Sequence, residues 1–276
     1  MTVATRRPAP ASPPAAVGVH ATARMAAAAW GATTIMPVLE GDGPFELRSL
    51  RPHGKQARVC VIGAMIAPLG GDRLRIEATV RPGAALHVTT ATATLALRGP
   101  TPEHATYDVH LTVEDRARLH WLPKPLICSA GSNLRQSWTI ELAPTAQLVL
   151  REEQILGRAG EPPGHVAGRL TVRRGGRTLL DQQTEYGPGA PDWDGPAVLA
   201  GHRATGQLLV VDPAFEDDPP AVHLLGDTDT DTDTDTPEAG QGVLAPLAGP
   251  AVLATAVAPD SLRLRHLLDA VHTIAH

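Results

Sequence analysis

Lysine is nearly absent from this 276-residue chain: only Lys55 and Lys124 occur, and the arginines are scattered rather than clustered. At a net charge of −5 there is no basic stripe to track a phosphate backbone, which argues against a nucleic-acid partner. Cysteine is as scarce. Cys60 and Cys128 lie far apart in apolar sequence, so no disulfide framework is expected and a reducing, cytoplasmic setting fits. No apolar run approaches the ~18 residues of a bilayer span, so no membrane is expected. The eight aromatic residues leave Val, Leu, Ile and Ala to make the core, which suits closely stacked strands. Phosphate loops, zinc-protease helices, nucleophile elbows and C-x-x-C pairs are all missing. Gly240 to Ala245 fits G-x-G-x-x-A, but an Asp-Thr tract precedes it where a strand is required, so the match is chance.

What is present is a repeated strand–turn–strand unit. Leu74, Ile76, Ala78 and Val80 share one parity, a turn follows at 81–85, and Leu86 and Val88 resume that face. Tyr107, Val109, Leu111 and Val113 do the same before a turn at 114–118 and then Leu119 and Trp121. Leu134, Trp138, Ile140 and Leu142, with Gln136 as the polar exception, lead through Pro144 to Leu148 and Leu150. In each unit an aliphatic residue (Val80, Val113, Leu142) is followed six positions on by Leu, with Ala two before that Leu. Alternation of period two marks half-buried strands. A fourth, weaker copy runs from Leu170 and Val172 to Leu179, with a turn one residue longer. Units that bury one face each must stack, which predicts an all-β fold: an elongated stacked, β-helix-like body with a short C-terminal helix.

The runs Pro68 to Leu74, Trp121-Leu122-Pro123-Lys124-Pro125, Glu141-Leu142-Ala143-Pro144 and Glu152-Glu153 with Leu156-Gly157-Arg158 resemble the urease accessory protein UreD (UreH) family, in order along roughly 45–211. The resemblance implies a non-catalytic β-helical scaffold that, with UreF and the GTPase UreG, delivers nickel to the urease apoprotein. It implies no tightly bound cofactor, only nickel in transit. A delivery protein has to release its ion, so scattered histidines and distant cysteines match the need to avoid a closed cage of strong ligands.

The organisation expected is a disordered Ala/Pro-rich tail over 1–33 and a single β domain over 34–276. Within the latter, the Asp-Thr tract at 227–236 is expected to be disordered and 261–275 to be a helix started by Ser261. A hydrated divalent ion needs oxygen ligands along its path, which singles out Asp72, Glu152 and Glu153 as candidate nickel-route residues. Asp72 also sits in a Gly-Gly-Asp turn, where its carboxylate has a structural use. Glu152 and Glu153 end the third unit on opposite faces, so one of them faces inward, although a solvated strand end is the plainer expectation. A weaker alternative metal set is Asp269, His272 and His276, spaced i, i+3 and i+7 on the terminal helix. Two other functions compete: a carbohydrate-active enzyme with Asp72 and Glu152 as acid and base, and a plain protein-binding β module.

Overall fold

The structure, a computed structural model, describes residues 18–226 and 240–274, with side chains described to Val271. Two hairpins come first: β1 (His20–Trp30) with β2 (Thr33–Glu40), and β3 (Phe45–His53) with β4 (Gln56–Gly63). The three repeat units follow as coils. They are β5 (Arg73–Val80) with β6 (Ala85–Thr90), then after the short β7 (Thr94–Ala96), β8 (Ala105–Val113) with β9 (Arg118–Trp121). After the short β10 (Leu126–Cys128), the third pairs β11 (Asn133–Leu142) with β12 (Gln147–Leu156). The chain continues through β13 (His165–Arg174), β14 (Arg177–Tyr186), β15 (Ala204–Val211), β16 (His223–Leu225), β17 (Gln241–Pro246) and β18 (Ala251–Ala258) to helix α1 (Ser261–Ile274).

Two sheets face each other. The first runs β14-β13-β11-β8-β5-β1-β2 and the second β16-β17-β18-β15-β12-β9-β6-β4-β3. The first strand of each coil lies in one sheet and the second in the other, so the central pairings are parallel, as coil-on-coil stacking requires. The repeat alignment read from sequence is the register found. Val80 pairs with Val113 and Val113 with Leu142, while Leu86, Leu119 and Leu148 pair in the opposite sheet. Each turn closes on its alanine, whose N–H donates three residues back: Ala84 to Arg81, Ala117 to Glu114 and Ala146 to Ala143, all at 3.0 Å. These alanines are buried, and a larger side chain would have no space between the coils.

Three expectations are corrected. The supposed tail over 1–33 contains β1, which lies between β2 and β5 and pairs in parallel with β5 from His20↔Arg73 to Ala27↔Val80. Ala21, Ala23, Met25 and Ala27 of that strand are buried; alanine carries little β preference, so only their parity marked it as a strand. Residues 1–17 lie outside the described residues. The fourth repeat copy begins as expected, with Leu170 beside Trp138 and Val172 beside Ile140. It does not cross to the other sheet, because Gly175 and Gly176, at φ 55° and 76°, form a two-residue reversal that returns the chain as antiparallel β14. The Asp-Thr tract at 227–236 lies outside the described residues. Helix α1 reaches Ile274, with Ala275 beyond the described part, and its cap is Asp260, not Ser261: Asp260 accepts from the N–H groups of Leu262 and Arg263 at 2.9 Å.

The main core fills the space between the sheets. A second cluster lies on the outer face of the larger sheet, where Leu264, Leu268 and Val271 of α1 cover Val149, Leu208 and Val210. The helix thus docks on the chain's own sheet. Trp121 is buried in the main core, and after it the chain leaves the sheet through Pro123 and Pro125, neither of which can donate to a ladder.

Candidate functional site

Along β12 the inward parity runs Leu148, Leu150, Glu152, Gln154, Leu156, so a carboxylate and an amide enter a space that is otherwise largely apolar. The neighbouring strands match this change. Gln136 and Trp138 come from β11, Gln182 and Thr184 from β14, and Thr205 and Gln207 from β15, where Gln207 pairs with Glu152. Gly168 lies beside Gln136 in the row, and a Cβ there would stand 3.8 Å from Gln154 Nε2 and 3.0 Å from Thr184 Oγ1. A side chain there would crowd the Thr184 hydroxyl, while the amide would be at ordinary contact distance. The result is a polar layer crossing the gap between the sheets.

Glu152 is the centre of that layer. Trp138 Nε1 donates to its Oε1 at 3.2 Å, Gln154 Nε2 to the same oxygen at 3.1 Å, and Gln207 Nε2 to Oε2 at 2.7 Å. Gln182 Nε2 donates in turn to Gln207 Oε1 at 2.6 Å. All three donors to the carboxylate are neutral. Burial pushes the Glu152 carboxyl above its usual range, and the hydrogen bonds from Gln207, Gln154 and Trp138 only partly oppose that.

Two spaces meet at this carboxylate. One is an inner cavity of about 30 Å³ bounded by Tyr107, Trp121, Gln136, Trp138 and Lys124. The other is an open cleft of about 270 Å³ between β14 and β15, bounded by Gln154, Gln182, Thr184, Tyr186 and Gln207. Glu152 borders both.

The other residues singled out from sequence lie elsewhere. Asp72 is buried, and its two oxygens accept the backbone N–H groups of Val19 and Leu69, each at 2.8 Å, tying the start of β1 to the turn before β5. It borders neither space, so Asp72 and Glu152 are not brought together as an acid–base pair. Glu153 is fully buried on the opposite face of β12, under α1. There it holds the guanidinium of Arg265 and lies 3.6 Å from Arg151, so the solvated strand end expected from sequence is an interior ion-pair network. Asp269 joins that network through Arg151. The side chains of His272 and His276 lie outside the described residues. Among the described residues no three His, Cys, Asp or Glu side chains converge on a metal-sized space.

Gln154, Gln182 and Gln207 were missed in the sequence. Parity alone places Gln154 with Glu152, whereas Gln182 and Gln207 reach the layer only through the antiparallel strands that follow the coils. Cys60 and Cys128 are free and buried, and burial pushes the Cys128 thiol up to about 12, so neither is an activated nucleophile. Among the described residues no helix is long and apolar enough to cross a membrane.

Comparison with known proteins agrees with this architecture. A sequence model of the family described as UreD urease accessory protein matches residues 19–276. Urease accessory protein UreD 2 of Saccharopolyspora erythraea is 61% identical, over 97% of this chain and 92% of its own length. Urease accessory protein UreD 3 of Streptomyces griseus subsp. griseus is 55% identical over 92% and 95%, and urease accessory protein UreD of Parafrankia sp. is 35% identical over 95% and 93%. With β1 and the helix both inside the matched span, the similarity covers the whole layered body, and the chain belongs to the UreD urease accessory protein family.

Proposed function

We propose that this chain is a non-catalytic scaffold of urease maturation, acting in the cytoplasm with UreF and the GTPase UreG to pass nickel to the urease apoprotein. Nickel is cargo, held in transit at Glu152. The observation that supports this is a carboxylate between the sheets, bonded only by neutral donors, with a cavity on one side and an open cleft on the other. A half-buried carboxylate with no cationic partner among the described residues attracts a cation, and its place between two spaces suits passage better than storage. Among the described residues no second strong ligand stands beside it, which favours release.

The carbohydrate-active reading has less behind it. Glycosidases need two carboxyl groups facing one sugar, about 5 to 9.5 Å apart. Glu153, the other acid bordering the inner cavity, turns its carboxylate to the far face of the strand.

The test is Glu152→Gln in a reconstituted activation mixture. Co-purification with UreF, UreG and apourease should be unchanged, and the nickel bound by urease should fall several-fold. Wild-type nickel content would remove Glu152 from the path.

A further inference from the structure

Beyond the third coil the two sheets no longer match. The first adds two strands, β13 and β14, whereas the second adds four, β15, β18, β17 and β16. β14 ends the first sheet, so its outward N–H and C=O groups have no strand beside them, and among the described residues no backbone hydrogen bond reaches them. The second sheet runs on past that edge. One row of its inner face leads from Leu224 through Val243, Thr255 and Gln207 to Glu152. Leu224, at the far end of the row, is 71% exposed. An open sheet edge above an uncovered floor has room for one more strand.

The open spaces lie along that edge. Gln183 borders the cleft of about 270 Å³ together with Gln182 and Thr184; neighbours in a strand point to opposite faces, so only a space beside the strand's edge touches all three. A second open space, of about 380 Å³, continues the cleft past Tyr186 to Val198, Val243 and Val257. Glu152 is the one charged side chain bordering either space, and its hydrogen-bond donors are all neutral. It stands two strands, roughly 10 Å, from Thr255 along the row. A fitting guest is therefore uncharged and alternately apolar, with one cation long enough to cross that gap, which means lysine or arginine. A second copy of this chain does not fit: β14 paired antiparallel with itself about Gln183 sets Asp181 against Glu185, acid facing acid.

We infer that the free edge of β14 is a strand-addition site for an extended segment of a partner protein, which pairs with the backbone of residues 182–186, lays alternate apolar side chains on the floor at Val243 and points one lysine or arginine at Glu152. Main-chain bonds hold any strand placed there; the carboxylate decides which strand. A guest cation and a divalent cargo exclude each other at Glu152, yet the inference stands on the free edge and the uncharged lining, whether or not nickel passes there.

The probe is a fluorescent form of the peptide acetyl-Thr-Val-Thr-Lys-Thr-Val-Thr-amide, titrated into the full-length chain by anisotropy while hydrogen exchange is read over residues 182–186. Half-saturation should fall below about 10⁻³ M, and alternate amides of β14 should gain protection. Since successive N–H groups of a strand point to opposite sides, methylating the peptide's Val and Lys nitrogens or its Thr nitrogens should have unequal effects, one set abolishing binding and the other leaving it. These readings use the wild type alone, so they hold even if a variant fails to fold. Replacing the peptide's lysine by norleucine should weaken binding to the wild type about tenfold and change nothing for Glu152→Gln. No binding up to about 10⁻² M overturns the inference. So do equal effects of the two methylated sets, or an equal loss with norleucine in both proteins. Protection of alternate β14 amides before any peptide is added also overturns it, because the edge is then covered by another part of this chain or by a second copy.

Discussion

The indole of Trp138 and the carboxylate of Glu152 come from facing sheets and meet at 3.2 Å, so one hydrogen bond joins the third coil's two strands across the core. The same ring stands edge-on to Trp121, with centroids 6.2 Å apart at 83°. Trp138 is therefore both packing and polar support. Trp138→Ala should cost about 3 to 5 kcal/mol in denaturant titration. Trp138→Phe keeps most of the ring and loses the donor, and should cost about 1 to 3 kcal/mol. Equal losses for the two would mean that the indole N–H, not the ring's bulk, dominates.

Because burial raises the Glu152 carboxyl, the folded protein holds that proton to higher pH than the unfolded chain, whose ordinary value is 4.5. Its contribution to stability is therefore complete below about 4.5 and is lost as pH rises through the raised folded value. Subtracting the stability of Glu152→Gln from that of the wild type, by urea titration from pH 4 upward, isolates this group. The difference should fall with rising pH. A difference that grows with pH would mean the carboxylate is stabilised by a positive charge.

Under the helix the balance is different. Glu153 is fully buried and Arg265 about a quarter exposed, so Arg265→Ala strands a carboxylate whose remaining cation is Arg151 at 3.6 Å. The expected loss is about 2 to 4 kcal/mol, at the lower side of a broken buried pair because Arg151 remains. Replacing Glu153 and Arg265 together by methionine should cost less than Arg265→Ala alone. A double-mutant cycle read by thermal unfolding checks this.

Asp72 should behave as a structural residue. Asp72→Ala leaves the Val19 and Leu69 N–H groups without their acceptor and should cost about 2 to 5 kcal/mol. Asp72→Asn retains one acceptor oxygen and should lie between Ala and wild type. Nickel delivery per folded molecule should be unchanged in both variants; a specific loss in Asp72→Asn would return this residue to the path.

The coils were legible because their information is local and repeated. The Leu86–Leu119–Leu148 row follows from parity and turn length, which any one unit displays. β1 was not legible in the same way, since an alanine-rich segment has no propensity signal and its burial depends on β5, some fifty residues later. Glu152 falls between these cases. Parity sends it inward, but whether that position is solvent or core depends on β14 and β15, which cover the end of the third coil from a distance in sequence. The reversal at Gly175-Gly176 was written in the sequence as two adjacent glycines, and the turn-length comparison concealed it.

A parallel stack has no natural length, since every added coil repeats the contacts of the one before. Here growth stops at both ends. The hairpins β1–β2 and β3–β4 close one end and β13–β14 the other in the first sheet, while β2 and β3, outermost at the first end, carry Pro37 and Pro52, which cannot donate to an incoming ladder. The protein is thereby a spacer three coils deep, which cannot lose a coil without rebuilding a terminus. Any partners seated at its two ends are held apart by a distance that the number of coils sets.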